Sequence, residues 1–302
     1  MTDRGDFFAI VNPAAGGGRC RRLVPEALDR LRAGGIKLDA VETDKPGQGA
    51  HLARDAYARG YRKFIAVGGD GTSYEIVNGL FPRRESDESV TLAFLPLGTG
   101  NSFLRDFTDR GVDHAIEALL AGRSQPCDVL RLRHTEGVLH YINLLSMGFT
   151  ADVATLRARR FSGWGELGYQ SSIFICLARF RRRPFPLRVD GEGEIDRRPC
   201  LFLTFNNSKF TGGTMMIAPK AEVNDGLIEF VRWGPIGRLG LIRNLPTLYD
   251  GTHIHHPLAE RRGANRIDFH LDAPVDVMVD GEVLTLQCQT LDVLPSALRV
   301  VV

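Results

Sequence analysis

The 302-residue chain carries 38 Lys and Arg against 36 Asp and Glu, a formal net charge of +2, with 43% hydrophobic and 25% charged residues. That balance is ordinary for a globular protein long enough for two domains with their own cores, and it excludes a strongly basic nucleic-acid binder. Cys20, Cys127, Cys176, Cys200 and Cys288 are scattered with no CxxC pair, which fits a reducing cytosol; residues 1–6 are polar, unlike a signal peptide, and no apolar stretch approaches a membrane span.

The first strand is expected at Phe7-Phe8-Ala9-Ile10-Val11, running into the glycine loop Asn12-Pro13-Ala14-Ala15-Gly16-Gly17-Gly18. A helix follows over residues 22–31, where Leu23, Ala27, Leu28 and Leu31 recur at helical spacing. Residues 38–43 alternate like a strand and 48–59 read as a helix. Lys63-Phe64-Ile65-Ala66 reads as a buried strand leading into Val67-Gly68-Gly69-Asp70-Gly71-Thr72, with a helix-like segment from Tyr74. Val90-Thr91-Leu92-Ala93-Phe94 is another strand, followed by Leu95-Pro96-Leu97-Gly98-Thr99-Gly100-Asn101-Ser102-Phe103 and a helix over 113–121. Strands separated by helices argue for a parallel sheet, and all three glycine loops fall at the C-terminal ends of strands, where open α/β sheets bind ligands.

Glycines let a backbone approach a ligand closely, and N–H groups at a helix start favour anions. Three such loops on one edge suit a nucleoside triphosphate better than a single phosphate. An Asp in such a turn would repel bare phosphate, so Asp70 makes chemical sense holding Mg²⁺ against phosphate oxygens. The plain alternative is an αL turn with Asp70 as helix N-cap. No Gly-x-x-x-x-Gly-Lys-Ser/Thr occurs, and Phe103 stands where a dinucleotide fingerprint needs its third glycine, which excludes a P-loop NTPase and disfavours a nicotinamide redox enzyme.

From about residue 129 the pattern shortens to alternating runs at 129–133, 187–190, 201–205, 228–231 and 267–271, ending in 298–302. These predict a second, β-rich antiparallel domain. Residues 157–186 set Phe161, Trp164, Tyr169, Phe174, Phe180 and Phe185 among arginines that end in Arg179-Phe180-Arg181-Arg182-Arg183. Most of these aromatics fit a helix packed on the second domain, whereas the arginine cluster suits an anionic membrane surface. His253-Ile254-His255-His256 lacks partners at structural-zinc spacing and reads as a polar loop after a helix over 239–249.

Taken in order, Asn12-Pro13…Gly16-Gly17-Gly18, Gly68-Gly69-Asp70-Gly71-Thr72, Pro96-Leu97-Gly98-Thr99-Gly100-Asn101, Gly212-Gly213-Thr214…Pro219-Lys220-Ala221, Asn224-Asp225-Gly226-Leu227 and Val279-Asp280-Gly281-Glu282 resemble the motifs of the diacylglycerol kinase catalytic-domain superfamily, which includes bacterial lipid kinases and sphingosine kinases. The resemblance covers nearly the whole chain. It implies an NAD-kinase-like α/β N-terminal domain with a parallel sheet over residues 1–128, a β-rich antiparallel sandwich over 129–294, and a tail near 295–302 returning to the first. The pattern departs at Ala14 and Ala15, where the family often has Lys and Ser, and at Ser102, where many bacterial relatives carry an acid.

The resemblance also implies roles. Asn12, Pro13, Gly16, Gly17, Gly69, Asp70, Gly71, Thr72, Gly98, Thr99, Gly100 and Asn101 would cradle the nucleotide, with Thr72 capping the first helix; the bland alternative is capping alone. Asp280 would be the base, with Glu282 positioning it or reaching metal; without the resemblance, Asp280-Gly281 reads as a type I′ hairpin turn. Asp70 would hold the catalytic Mg²⁺, and Asp128 would join that network or be a polar residue at the domain junction. Asp225 and the Leu227 carbonyl would bind a structural Mg²⁺, against the reading of a hairpin turn.

The leading expectation is therefore an ATP-dependent kinase acting on a lipid hydroxyl such as that of diacylglycerol. An NAD-kinase-like enzyme and a non-catalytic nucleotide or lipid sensor are the alternatives. Expected partners are ATP, a lipid alcohol met at an anionic membrane surface on the cytoplasmic side, and a second copy of the chain as a homodimer, with no nucleic acid.

Overall fold

The structure, a computed structural model, describes residues 4–81, 89–160, 172, 175–176 and 182–302. The strands are β1 (Arg4–Val11), β2 (Leu38–Glu42), β3 (Tyr61–Gly68), β4 (Thr91–Pro96), β5 (Ser124–His134), β6 (Gly137–Tyr141), β7 (Leu144–Gly148), β8 (Leu187–Val189), β9 (Glu192–Asp196), β10 (Phe202–Asn206), β11 (Phe210–Thr211), β12 (Met215–Met216), β13 (Ile228–Trp233), β14 (Ala259–Ala264), β15 (Arg266–Phe269), β16 (Val275–Val279), β17 (Glu282–Leu286) and β18 (Cys288–Val301). The described helices are α1 (Arg19–Ala33), α2 (Gln48–Ala58), α3 (Asp70–Leu80), α4 (Gly111–Leu120), α5 (Phe149–Arg160), α6 (Arg238–Asn244) and α7 (Thr247–Asp250). The chain divides into two compact units, Met1–Val129 with Pro295–Val302, and Leu130–Leu294.

In the first unit β2, β1, β3 and β4 lie side by side in that order, all parallel, and Arg299 and Val300 of β18 run parallel to Thr91 and Leu92 of β4. Strands β3 and β4 are largely buried on both faces, as a parallel sheet covered by helices requires. Ala9, Val11, Ile65, Val67, Ala93 and Leu95 meet Leu28 and Leu31 of α1 and Ile116 and Leu119 of α4 in one core. The tail is anchored by polar bonds as well: the Ser296 N–H donates to Asp128 Oδ1 at 2.6 Å, and the Arg299 guanidinium donates to the Ser124 carbonyl at 2.8 Å.

The second unit is an antiparallel sandwich. One sheet runs β14-β13-β10-β7-β16-β17, and the other takes its strands in the order β6-β5-β18-β15-β8-β9, with β5 and β18 contributing their residues from this unit. Leu144, Phe149, Phe202, Val231, Trp233, Leu241 and Leu248 share a core.

Two sequence expectations are corrected here. The helix expected over residues 239–249 is two helices, α6 and α7, with Pro246 at the break, where a missing N–H stops the ladder. The histidine stretch, expected as a polar loop, is largely a 3₁₀ turn (Thr252–His255) with His255 exposed, and His253 is buried with its ring nitrogens facing the carbonyls of Thr247 and Ile217. Burial holds that imidazole below its ordinary pKa.

Of the basic and aromatic stretch, Phe161, Trp164, Tyr169, Phe174, Arg179, Phe180 and Arg181 lie outside the described residues. Phe185 is buried, Arg183 pairs with Asp152, and Arg182 is exposed. Among the described residues no helix is long and apolar enough to cross a membrane.

Glycine is obligatory where the second and third loops meet. A Cβ on Gly98 would stand 2.9 Å from Gly69 N and 3.1 Å from Gly68 C, both backbone atoms with no freedom to swing aside. Gly98→Ala is expected to lower the unfolding free energy by about 1–3 kcal/mol in urea melts, the usual cost of overpacking. A wild-type midpoint would show that the two loops are not in contact.

Candidate functional site

The three glycine loops follow β1, β3 and β4 and form one surface in the first unit. Asn12 N donates to Val67 O at 2.9 Å, Gly98 N donates to Gly68 O at 2.8 Å, and Asp70 N donates to Gly100 O at 2.9 Å. A Cβ on Gly16 would lie 3.4 Å from Leu97 O, and one on Gly69 would lie 2.6 Å from Gly100 O. Gly16 and Gly17 hold φ values of +64° and +65°, which only glycine takes without strain. In the first loop Ala14 N is taken by Asn12 Oδ1 and Ala15 N by Asn12 O. Among the described residues, the N–H groups of Gly16, Gly17, Thr99, Gly100 and Asn101 find no acceptor in the chain. A row of unpaired backbone donors is what a polyphosphate needs.

Asp70 sits at the first position of α3, half-buried in a small cleft lined by Gly68, Gly69, Ser73, Asn101 and Phe103. The N-cap of α3 is Gly69, so Asp70 does not cap its own helix. Its carboxylate instead takes the N–H of Ser102 at 2.9 Å and, at 3.5 Å, that of Phe103, tying the second loop to the 3₁₀ turn (Phe103–Asp106) after the third. Burial raises its pKa above the ordinary carboxylate value, and the hydrogen bonds from Ser102 and Phe103 work against that rise. Thr72 is also corrected: it is the third residue of α3 and caps nothing, its buried hydroxyl having no partner in the chain. Asn101 turns inward, its Nδ2 donating to Gly98 O at 3.1 Å.

Asp280 belongs to the second unit. Asp280 and Gly281 have φ values of +47° and +91° between paired Val279 and Glu282, which is a two-residue hairpin of the I′ kind joining β16 and β17. That turn points the carboxylate inward, where it is 2% exposed. Oδ1 accepts from Asn143 N at 3.0 Å and Leu144 N at 2.9 Å, and Oδ2 accepts from Ile142 N at 3.1 Å. Asp280 N returns a bond to Leu144 O at 3.0 Å. Glu282 opens β17 on the exposed side of the hairpin. The negative charge of Asp280, second to burial, helps push the phenol of Tyr141 well above its ordinary pKa.

Asp128 and Asp225 each accept a backbone N–H of their own surroundings. Asp128 is fully buried in the first unit on the backbone of Ser296, whose φ is +48°. Asp225 folds back on Leu227 N at 2.9 Å in a turn that leads into β13 and does not join two paired strands. Among the described residues no three His, Cys, Asp or Glu side chains gather as a ready-made metal cage. Mg²⁺ does not need one, because it commonly takes one or two carboxylates with waters and substrate phosphates. Asp70 beside a row of phosphate-seeking N–H groups fits that pattern.

Sequence reading missed the support under Asp280. Asn207 Nδ2 donates to Ile142 O at 2.8 Å, Asn207 N donates to Asn143 O at 2.8 Å, and Ser208 Oγ donates to Asn143 Oδ1. These side chains fix the 142–144 backbone whose N–H groups hold the carboxylate. The signal available was Asn206-Asn207-Ser208, three polar residues ending the apolar run of β10.

Comparison with known proteins places this geometry. Residues 6–132 match the diacylglycerol kinase catalytic domain, and residues 143–302 match the YegS C-terminal NAD kinase beta sandwich-like domain. A diacylglycerol kinase of Mycobacterium tuberculosis is 26% identical over 301 residues, covering 98% of this chain and 94% of that protein. One of Bacillus subtilis is 27% identical over 280 residues, covering 90% and 88%. The crystal structure of a diacylglycerol kinase from Bacillus anthracis aligns with a TM-score of 0.73 at 19% identity, covering 98% of this chain and 96% of that one, a likeness of fold.

The buried charge of Asp70 yields a stability prediction. Its folded pKa is raised, so the penalty on ionisation is absent below the unfolded value and grows as pH rises through the folded one. Asp70→Asn removes the charge and keeps an oxygen for the Ser102 N–H. The ligand-free variant should melt at or above the wild-type temperature at neutral pH in calorimetry, with the gap closing toward acid. A variant that melts lower at neutral pH would mean that the charge itself holds the loops together.

Proposed function

This chain belongs to the diacylglycerol kinase family, and we propose that it transfers the γ-phosphate of ATP to the hydroxyl of a lipid such as diacylglycerol. The observation that carries this reading is the set of unpaired N–H groups on two glycine loops with the Asp70 carboxylate beside them. Phosphoryl transfer asks the protein mainly for position and charge neutralisation.

In this proposal Gly16, Gly17, Thr99, Gly100 and Asn101 bind phosphate oxygens through backbone N–H groups. Gly69, Gly71, Gly98 and the Asn12-Pro13 turn supply the close backbone approach. Asp70 holds Mg²⁺, whose chemistry is to neutralise charge on the transferring phosphate. Asp280 accepts the proton of the lipid hydroxyl as its oxygen bonds the γ-phosphorus and the bond to the leaving ADP breaks. Three backbone N–H groups hold this carboxylate in one orientation, which is the positional requirement for a base that acts on a bound hydroxyl. Glu282 at the same turn positions it. Asp128 acts through the tail it anchors, and Asp225 with the Leu227 carbonyl offers oxygen ligands for a structural cation. The acceptor is a membrane lipid, so the enzyme works peripherally at the inner face of an anionic membrane.

The test is transfer of label from ATP with Mg²⁺ to diacylglycerol, monoacylglycerol, phosphatidylglycerol, ceramide, sphingosine and NAD, lipids being presented in mixed micelles. Label should enter a lipid. Asp280→Asn should lower kcat by about 10²–10⁴-fold, the range for loss of a general base, with ATP affinity unchanged in calorimetry. Label found only in NAD would overturn the lipid acceptor, and full turnover by Asp280→Asn would remove the base role.

A further inference from the structure

Helix α6 has two apolar sides. Leu241 is fully buried in the core with Trp233 and Leu248. Leu239 and Ile242 point away from that core and are 83% and 54% exposed, the two most exposed large hydrophobics among the described residues. They stand three residues apart, which sets them on one helix face. A helix packed on a core needs one apolar stripe, not a second toward water.

The charged side chains that α6 itself carries have one sign. Arg238 and Arg243 are exposed at its two ends. Arg182 is exposed as well, and its Nη2 would lie 3.6 Å from a Cβ on Gly237, immediately before α6. Residues 236–249 hold no Asp or Glu; the first acid is Asp250 at the end of α7, and it is bonded to Thr252. With a chain net charge of only +2, this is a local basic rim and not a general property.

We propose that α6 docks the second unit onto an anionic lipid bilayer, Leu239 and Ile242 entering the acyl boundary while Arg182, Arg238 and Arg243 meet headgroup phosphates. Two apolar prongs ringed by long cationic side chains match an interface that is apolar below and anionic above, because arginine stems can lie along the hydrocarbon with the guanidinium at the headgroups. The choice of a bilayer over an acidic protein as occupant rests on the lipid-kinase reading, whose acceptor must be reached from the membrane surface. Each arginine should add about fivefold to binding on an anionic surface.

Sedimentation of the full chain with vesicles tests this, using phosphatidylcholine mixed with phosphatidylglycerol beside pure phosphatidylcholine. Wild type should bind the mixed vesicles more tightly, and raised salt should weaken that binding. The double variant Leu239→Asp with Ile242→Asp should bind at least about tenfold less, since both prongs lose their apolar burial. Arg238→Glu with Arg243→Glu should lose the preference for the mixed vesicles. Val138→Asp, at an exposed apolar position on β6, should bind like wild type. Circular dichroism and melting of each variant guard against misfolding. A folded Leu239/Ile242 double variant that binds mixed vesicles like wild type would overturn the proposal. So would equal binding of wild type to both vesicle types. Transfer to lipid in detergent micelles is scored separately: its absence in wild type overturns the kinase reading, whereas its retention in a variant that has lost vesicle binding supports docking by α6.

Discussion

The glycine-loop edge of the first unit depends on backbone packed directly on backbone. Gly98 N reaches Gly68 O, Asp70 N reaches Gly100 O, and neither Gly69 nor Gly98 has room for a Cβ. Two strand-end turns can approach this closely only where side chains are missing. The closeness then determines which donors remain. N–H groups used in joining the loops hold them together, and those of Thr99, Gly100 and Asn101 are left without an acceptor among the described residues. Asp70 completes the clasp by taking the N–H groups of Ser102 and Phe103. A carboxylate doing this pays in desolvation, which is why its pKa is raised.

The second unit places its acid by a different device. A hairpin turn and a buried, hydrogen-bonded carboxylate coexist at Asp280. The positive φ that makes the turn also rotates the side chain under the 142–144 backbone. Aspartate tolerates that conformation better than most residues, so the strain is small. A buried carboxylate is costly unless it is hydrogen-bonded, and three N–H groups answer that cost. They can do so only if the 142–144 backbone holds its shape, which Asn207 and Ser208 provide from the neighbouring strand end.

How much of this was legible in the sequence follows from how local each cause is. The parallel strands, their helices and the three loops are local patterns, and they lie within a few residues of expectation: α1 begins at Arg19, not 22, and α3 at Asp70, ahead of Tyr74. What was missed depends on partners far away in the chain. Nothing near Thr72 reveals that Gly69 takes the cap position. Nothing near His253 reveals that Ile217, 36 residues away, lies against its ring. The service of Asn207 to Asp280 passes through Ile142, 65 residues earlier, and only the polar interruption of an apolar strand marked it. The break between α6 and α7 is the exception: its cause, Pro246, is local, and the single helix expected over 239–249 overlooked it.

The departures from the family pattern now have a physical reading. Ala14 and Ala15 stand where the resemblance leads one to expect Lys and Ser, and their own N–H groups are already taken by Asn12. The unpaired donors of that loop are the backbone groups of Gly16 and Gly17, which the alanines do not touch. The alanines therefore leave the backbone geometry of the loop whole. Ser102 is a different case. It is buried, and both its N–H and its hydroxyl support the Asp70 carboxylate. An acidic residue there would set a second negative charge against one that burial already disfavours, raising the cost of ionising Asp70 further. Serine keeps the hydrogen bonds and omits the repulsion, so Asp70 can carry its charge without a nearby cation to offset a second acid.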